Sequence, residues 1–315
     1  MKKALIVGIS GQDGSLLAKY LLENNYKVFG TSRDHELTSF NGLKKLEIYD
    51  KVELQSMIPN DFRSVIKVID IVKPDEIYNL AGQTSVGFSF LQPVETIESI
   101  INGCLNVLET VKFLKLDCKI FNPCSSECFG DSIESSTEST PFNPLSPYAV
   151  AKTSSYWLTS NYRKSYGIYT CSGILSNHES VLRSERFVTM KIINSAKRIY
   201  EGVQNKLELG DISIVRDWGC AEEYVKAMHL MLQQENPEEM IISTNNSISL
   251  EEFIYYAFKK YNLDYQKHIV INKNLIRPND IKVSRLSNNK LFDRLGWKPQ
   301  NNVYDVIDKI VDSIN

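Results

Sequence analysis

The chain is expected to fold as an α/β protein, a doubly wound parallel sheet with helices on both faces and a smaller C-terminal part. Three observations predict this. Short apolar runs alternate with amphipathic segments as far as residue 176. A glycine-spaced turn, "GISGQDG", joins the first run to the first amphipathic segment. After Asn177 the alternation fades into mixed patterns. Strands alternating with helices require crossover connections, and these give a parallel sheet covered on both sides.

The elements follow in order. Residues 4–7 are a short apolar run suited to a buried strand. Leu16, Leu17, Tyr20 and Leu21 recur at helical spacing, and Val28 and Phe29 begin the next strand. "KLEIYD" (45–50) reads as a third strand. "SVIKVIDIVKP" (64–74) is helical and stops at a proline. "EIYNLAG" (76–82) runs as a strand into a glycine turn. "SIINGCLNVLETVKFL" (99–114) is a helix and "KIFNPCSS" (119–126) a strand. The segment 146–167 predicts a long helix, with Ser146 to cap it, Pro147 at its first position and Gly167 to end it. "IYTCSGILS" (168–176) is a further strand. "CAEEYVKAMHLMLQQ" (220–234) is a helix expected to return to the main sheet.

Bulk composition narrows the function. The 315 residues are 43% hydrophobic and 23% charged, ordinary for a globular protein, and the formal net charge is -2. That charge offers no surface for nucleic acid or membrane. Six cysteines include no CxxC, and four histidines include no HExxH, so no metal site is expected. Cys124 and Cys128, four apart, fit no common ligand pattern and read as reduced, buried thiols. The apolar run before Gly8 is too short for a signal-peptide core or a membrane span, and a cytoplasmic location is expected.

Gly8, Gly11 and Gly14 form GxxGxxG between a strand and a helix. Such glycines let backbone N–H groups approach a pyrophosphate at a helix N-terminus. The position, more than the spacing, makes this a dinucleotide turn of the Rossmann-like kind, and Gln12 and Asp13 lie within it. An acidic residue at the end of the second strand would hold a ribose 2′-OH. Here Arg33 suits a 2′-phosphate, so NADP is favoured over NAD. A solvated arginine is the plain alternative, and Asp34 follows directly.

Tyr148 and Lys152 stand one helical turn apart. A lysine ammonium beside a phenol lowers the phenol's pKa and makes it a usable acid or base. Tyr255/Lys259 and Tyr256/Lys260 share the spacing and read as an ordinary amphipathic helix. Context separates Tyr148: it opens a helix after the fifth alternating strand and follows Ser125-Ser126-Glu127, so a serine–tyrosine–lysine set is expected.

These residues carry a resemblance. "GISGQDGS", "PDEIYNLAGQTSV", "SSECFG", "TPFNPLSPYAVAK", "NYRKSYGIY", "GILSNHES", "RDWG" and "LGWKP" stand in order along nearly the whole chain. Together they resemble the extended short-chain dehydrogenase/reductases, and within these the GDP-mannose 4,6-dehydratase family. The resemblance implies a homodimeric or homotetrameric enzyme acting on a GDP-linked sugar with NADP, NAD being the second choice. By it, Tyr148 takes the proton of the sugar 4-hydroxyl during oxidation, and Glu127 takes the proton at carbon 5 and helps expel the carbon 6 hydroxyl. Ser125 is the substrate-polarising hydroxyl, and Ser126 is its neighbour. The same resemblance places Asp50, Leu80, His178 and Arg183 at the cofactor. It places Asn177, Lys191, Arg216 and Arg277 at the nucleotide diphosphate or base. The chain departs from the family pattern at Lys51, Leu182, Met190 and Cys220. The implied division is a dinucleotide-binding part, 1–177 with about 217–245, and a sugar-nucleotide-binding part, 178–216 with 246–315. Alternatives are a 4-oxidase, an epimerase or a 4-keto reductase of the same fold, or a non-catalytic dinucleotide sensor.

Overall fold

The computed structural model describes residues 1–314. Its first half alternates as expected: β1 (Lys3–Val7), α1 (Gln12–Glu23), β2 (Lys27–Ser32), α2 (Asn41–Lys45), β3 (Glu53–Ser56), α3 (Phe62–Val72), β4 (Glu76–Asn79), α4 (Val86–Leu91), α5 (Pro93–Ile97), α6 (Gly103–Leu114), β5 (Lys119–Ser125), α7 (Pro147–Tyr166) and β6 (Thr170–Leu175). There follow β7 (Asn177–Glu179), α8 (Val188–Tyr200), β8 (Leu207–Leu209), β9 (Val215–Cys220), α9 (Ala221–Leu232), β10 (Met240–Ile242), β11 (Ser247–Ser249), α10 (Leu250–Lys259), β12 (Ile269–Ile271), α11 (Asn289–Leu295) and α12 (Val303–Ile314).

Seven strands form one parallel sheet in the order β10-β6-β5-β4-β1-β2-β3. Side chains alternate across it. Ala4 and Ile6 pack with Leu16, Leu17 and Leu21 of α1 and with Tyr224, Val225 and Met228 of α9. Leu5 and Val7 face the other way, onto Val65, Val68 and Ile69 of α3 and Val107, Leu108 and Val111 of α6. A strand buried on both faces is apolar at every position, which is why residues 4–7 read as a continuous run. Because β2 and β4 lie on opposite sides of β1, the chain reverses direction there. The crevice at the carboxyl ends is where ligands of such sheets bind.

The segment 45–50 is not a strand. It holds the end of α2 and the start of a single 3-10 turn, Tyr49–Lys51, while the third strand is Glu53–Ser56. Leu46 and Ile48 mimic a strand's alternation, but Glu47 between them is left-handed (φ 56), and the chain turns so that both pack against the main core. α4 and α5, between β4 and α6, were also outside the expected elements.

Beyond β6 a second core forms. β11, β9 and β7 make a three-stranded sheet, and β12 pairs with β8. Ile192, Ile193 and Ala196 of α8, Phe253 and Ile254 of α10, and Ile307 and Ile310 of α12 close around Trp218 of β9. α9 and β10 return to the main sheet, β10 as a parallel neighbour of β6.

Candidate active site

The carboxyl ends of β4, β5 and β6 open into a cavity of about 400 Å³, roofed by residues of β7, α8 and β9 and by the 275–280 loop. Ser125, Ser126, Glu127, Tyr148 and Lys152 all line it.

Local sequence explains their meeting. Ser125 ends β5 in extended conformation (φ -142, ψ 146), and one 3-10 turn, Ser126–Phe129, follows. The Glu127 amide donates to Ser125 Oγ at 3.3 Å, leaving that hydroxyl's own proton free to point elsewhere. Across from it α7 begins. The Ser146 side chain accepts from the Ala149 amide at 3.1 Å, and Pro147 fills the first position. The capped start places Tyr148 in the first turn and Lys152 one turn on. Tyr148 packs on Ile100 and Ala151.

The charges are set mainly by burial. Burial pushes the Tyr148 phenol well above its ordinary value; hydrogen bonding to Ser125 opposes this, while Cys128 and Glu127 add to it. Burial lowers Lys152, whose ammonium donates to the Pro123 carbonyl at 3.0 Å and lies 5.8 Å from the centre of the Tyr148 ring. Lys152 thus stands beside the phenol, while burial is the largest influence on Tyr148 itself. Glu127 is also raised, first by burial. Arg216 and Arg277 oppose that shift, and Asp280 and Asp131 reinforce it.

Arg216 is 4% exposed, and its Nε lies 3.9 Å from Glu127 Oε1. Its other nitrogens donate to the carbonyls of Val215 (3.0 Å) and Ile281 (2.8 Å) and to Asp280 (3.4 Å). Arg277 pairs with the same Asp280 oxygen at 3.2 Å. Asp280 lies three residues after Arg277, and no motif in the sequence marks it as a site residue. Asn177 and Lys191 line the same cavity, and Lys191 donates to the Glu208 carbonyl at 2.8 Å.

The nucleotide turn has the shape a dinucleotide needs. Gly8 has φ +90, and a Cβ there would lie 2.9 Å from the Ala81 backbone. A Cβ on Gly14 would lie 2.5 Å from the Gly8 carbonyl oxygen. Gly8 is thus required by its left-handed backbone and the closeness of the segment after β4, and Gly14 by the closeness of helix to turn. Gly11 precedes α1 without a side-chain cap, so the first amides of the helix stay available to an anion. Gly11 and Gln12 also line a second groove, with Lys45 and Leu182. Leu80, after β4, lines the main cavity.

Four residues expected at the cofactor are engaged with one another or with a near neighbour. His178 Nε2 meets Asp13 Oδ2 at 2.9 Å, and its Nδ1 meets the Ser176 carbonyl at 2.8 Å. Burial raises Asp13, but His178, Gln12 and Arg183 outweigh it and hold the carboxyl at about 2. Burial lowers His178, but the Asp13 charge and hydrogen bond win and raise it. The Asp13 carboxylate at the helix N-terminus is therefore paired with the His178 ring. Gln12 donates to the His178 carbonyl at 3.1 Å, and Arg183 pairs with Glu179 at 2.9 Å. Arg33 is exposed at the end of β2. The Asp34 carboxylate beside it accepts from the amides of Glu36 (3.0 Å) and Leu37 (3.1 Å), so its role is local.

Asp50 is not at a strand end. It lies exposed in the turn before β3, and the carboxyl end of that strand is Ser56. Of the departing residues, Lys51 is exposed, Leu182 is partly buried, and Met190 and Cys220 belong to the second core.

Comparison with known proteins agrees with this architecture. The GDP-mannose 4,6 dehydratase family model matches residues 5–310. GDP-mannose 4,6 dehydratase 1 of Arabidopsis thaliana is 40% identical over 323 residues, covering 99% of this chain and 89% of that protein. A Vibrio cholerae GDP-mannose 4,6-dehydratase is 36% identical over 347 residues, covering 98% and 93%. Among solved structures, the UDP-glucose 4-epimerase of Thermus thermophilus in complex with NAD superposes with a TM-score of 0.87, at 22% identity and 98% coverage of each chain. That likeness is one of fold. The family match spans nearly the whole chain, and the chain is an enzyme of the GDP-mannose 4,6 dehydratase family, built on the extended short-chain dehydrogenase/reductase fold.

Proposed function

We propose that the enzyme is an NADP-dependent GDP-hexose 4,6-dehydratase. Its substrate is GDP-mannose or a GDP-linked heptose, and its product is the GDP-4-keto-6-deoxy sugar. The observation that carries this reading is Glu127, a buried carboxyl with a raised pKa in the same cavity wall as Ser125 and Tyr148. Oxidation alone needs only the hydroxyl and the phenol. Elimination also needs a base at carbon 5, and Glu127 supplies one.

The glycine turn and the open N-terminus of α1 would hold the cofactor pyrophosphate, and Arg33 its 2′-phosphate. When bound, the nicotinamide would accept hydride from carbon 4 and later return it at carbon 6. Tyr148 takes the proton of the 4-hydroxyl, and Ser125 orients that oxygen by donating its free hydroxyl proton. Glu127 takes the proton at carbon 5, made acidic by the neighbouring ketone, and passes a proton to the departing carbon 6 hydroxyl. Arg216 and Arg277 bind diphosphate oxygens; the planar guanidinium fork suits them. The proposed division assigns residues 1–177 with about 217–245 to the dinucleotide, and 178–216 with 246–315 to the sugar nucleotide. The direct test is incubation with GDP-mannose and mass analysis of the nucleotide product. Loss of one water is expected. An unchanged mass with altered sugar stereochemistry would favour an epimerase, and loss of hydrogen alone a 4-oxidase.

Two binding predictions follow from placement. The native enzyme should bind NADP more tightly than NAD, and Arg33→Ala should narrow the gap. A charge-assisted contact is worth about 1.5–3 kcal/mol, and the exposure of Arg33 puts it at the low end, about tenfold in affinity. Equal affinity of the native enzyme for both cofactors would remove the assignment. Arg277→Ala should weaken GDP binding about tenfold in calorimetric titration and leave NADP binding unchanged. Native-like GDP affinity in that variant would reassign Arg277 to a structural pair with Asp280.

A further inference from the structure

We propose that Cys124 and Cys128 are a modification site: a dithiol in the active-site wall that a peroxide converts to a disulfide, stopping the enzyme. The two Sγ atoms lie 3.4 Å apart. Cys124 is the penultimate residue of β5, and Cys128 stands in the 3-10 turn that follows. The three residues between them are Ser125, Ser126 and Glu127. Both thiols are buried, yet Cys124 lines the cavity, so a small uncharged oxidant reaches it by the route the substrate uses.

Each sulfur also touches α7. Cys124 Sγ contacts the Lys152 carbonyl at 3.9 Å, and Cys128 Sγ the Ala149 carbonyl at 3.7 Å. The pair thus wedges the strand that carries Ser125 against the two helical turns that carry Tyr148 and Lys152. A disulfide requires the sulfurs to close from 3.4 Å to about 2.0 Å. Closure removes both S–H donors and draws the turn holding Glu127 toward β5. A near-ångström shift of a reacting group is enough to cost orders of magnitude in rate.

The chemistry closes with hydrogen peroxide as the oxidant. The Cys124 sulfur takes one peroxide oxygen as the O–O bond breaks, giving a sulfenic acid and one water. The Cys128 sulfur then attacks the Cys124 sulfur; the S–O bond breaks, and the departing hydroxide leaves as water with the Cys128 proton. Two thiols lose two electrons and peroxide becomes two waters. Cys128 suits the second role. Its sulfur already stands 3.4 Å from the sulfur it attacks. A dithiol reductant reverses the reaction by exchange.

The test exposes cofactor-loaded enzyme to hydrogen peroxide, quenches with catalase, alkylates, digests without reductant and weighs the peptides. The peptide holding both cysteines should become two hydrogens lighter and escape alkylation in step with loss of activity, and dithiothreitol should restore both. GDP in the cavity should slow the change. Cys128→Ala should keep near-native basal activity and never yield the lighter peptide, its Cys124 stopping at a sulfenic acid that dimedone traps. Cys124→Ser removes the sulfur the cavity reaches, and its inactivation should be at least about tenfold slower. The activity readout rests on the roles proposed for Ser125 and Glu127, whereas the mass readout does not, so the two readings fail separately. Both cysteines still alkylated in peroxide-treated enzyme would overturn the proposal, as would Cys124→Ser losing activity at the native rate.

Discussion

Replacing Tyr148 with phenylalanine should lower the dehydration rate by about 10²–10⁴-fold, the range a positioned acid–base group contributes. The ring is 8% exposed and packs on Ile100 and Ala151, so phenylalanine keeps the packing and removes only the hydroxyl. Lys152 keeps its bond to the Pro123 carbonyl and Ser125 Oγ still accepts from the Glu127 amide, so only the Ser125 hydroxyl proton loses its Tyr148 partner. The loss should therefore fall on chemistry. Mixed with GDP-mannose, the variant should show almost no reduced-cofactor absorbance even in a single turnover, since the proton of the 4-hydroxyl has no acceptor. GDP affinity should hold. A rate within about fivefold of native would make Tyr148 a packed aromatic with no part in proton transfer.

Why that site could be read from sequence, and other parts could not, comes down to range. Ser125, Glu127, Tyr148 and Lys152 are set by local rules: a strand end, a one-turn 3-10 segment, a serine cap and a proline at the first helical position. The packing of the start of α7 against the end of β5 then brings them together. The strand expected over 45–50 failed for the same local reason. Leu46 and Ile48 alternate like a strand, and nothing in the sequence shows that Glu47 turns the chain left-handed and sends both inward. Resemblance alone points to His178 and Arg183; the tie of His178 to Asp13 depends on a contact across 165 residues, whereas Arg183 pairs with Glu179 only four residues away. Asp280 shows the same limit. Its value comes from meeting Arg216, 64 residues earlier and on a different element.

Glu127→Gln should separate elimination from oxidation. Glutamine keeps the shape and loses the base, so the first step should proceed and the second should stall. Reduced-cofactor absorbance should build up to about one equivalent per site, with dehydrated product formed about 10²–10⁴-fold more slowly than by the native enzyme. Structural collapse is not the expected cause, because Arg216 keeps Asp280 at 3.4 Å and the carbonyls of Val215 and Ile281 when the Glu127 charge is removed. The pH profile gives an independent reading. Burial raises the Glu127 pKa, so the carboxyl holds its proton to higher pH than an ordinary glutamate. A base works only when ionised. The native rate of elimination should therefore fall on the acid side, at a pH above the ordinary glutamate range, and the oxidation step of Glu127→Gln should lack that limb. Heavy water adds a third measure: native product should carry deuterium at carbon 5 wherever the abstracted proton exchanges before return. If Glu127→Gln forms dehydrated product at close to the native rate, Glu127 is a charge partner of Arg216, and the base at carbon 5 must be sought among the other groups of the cavity.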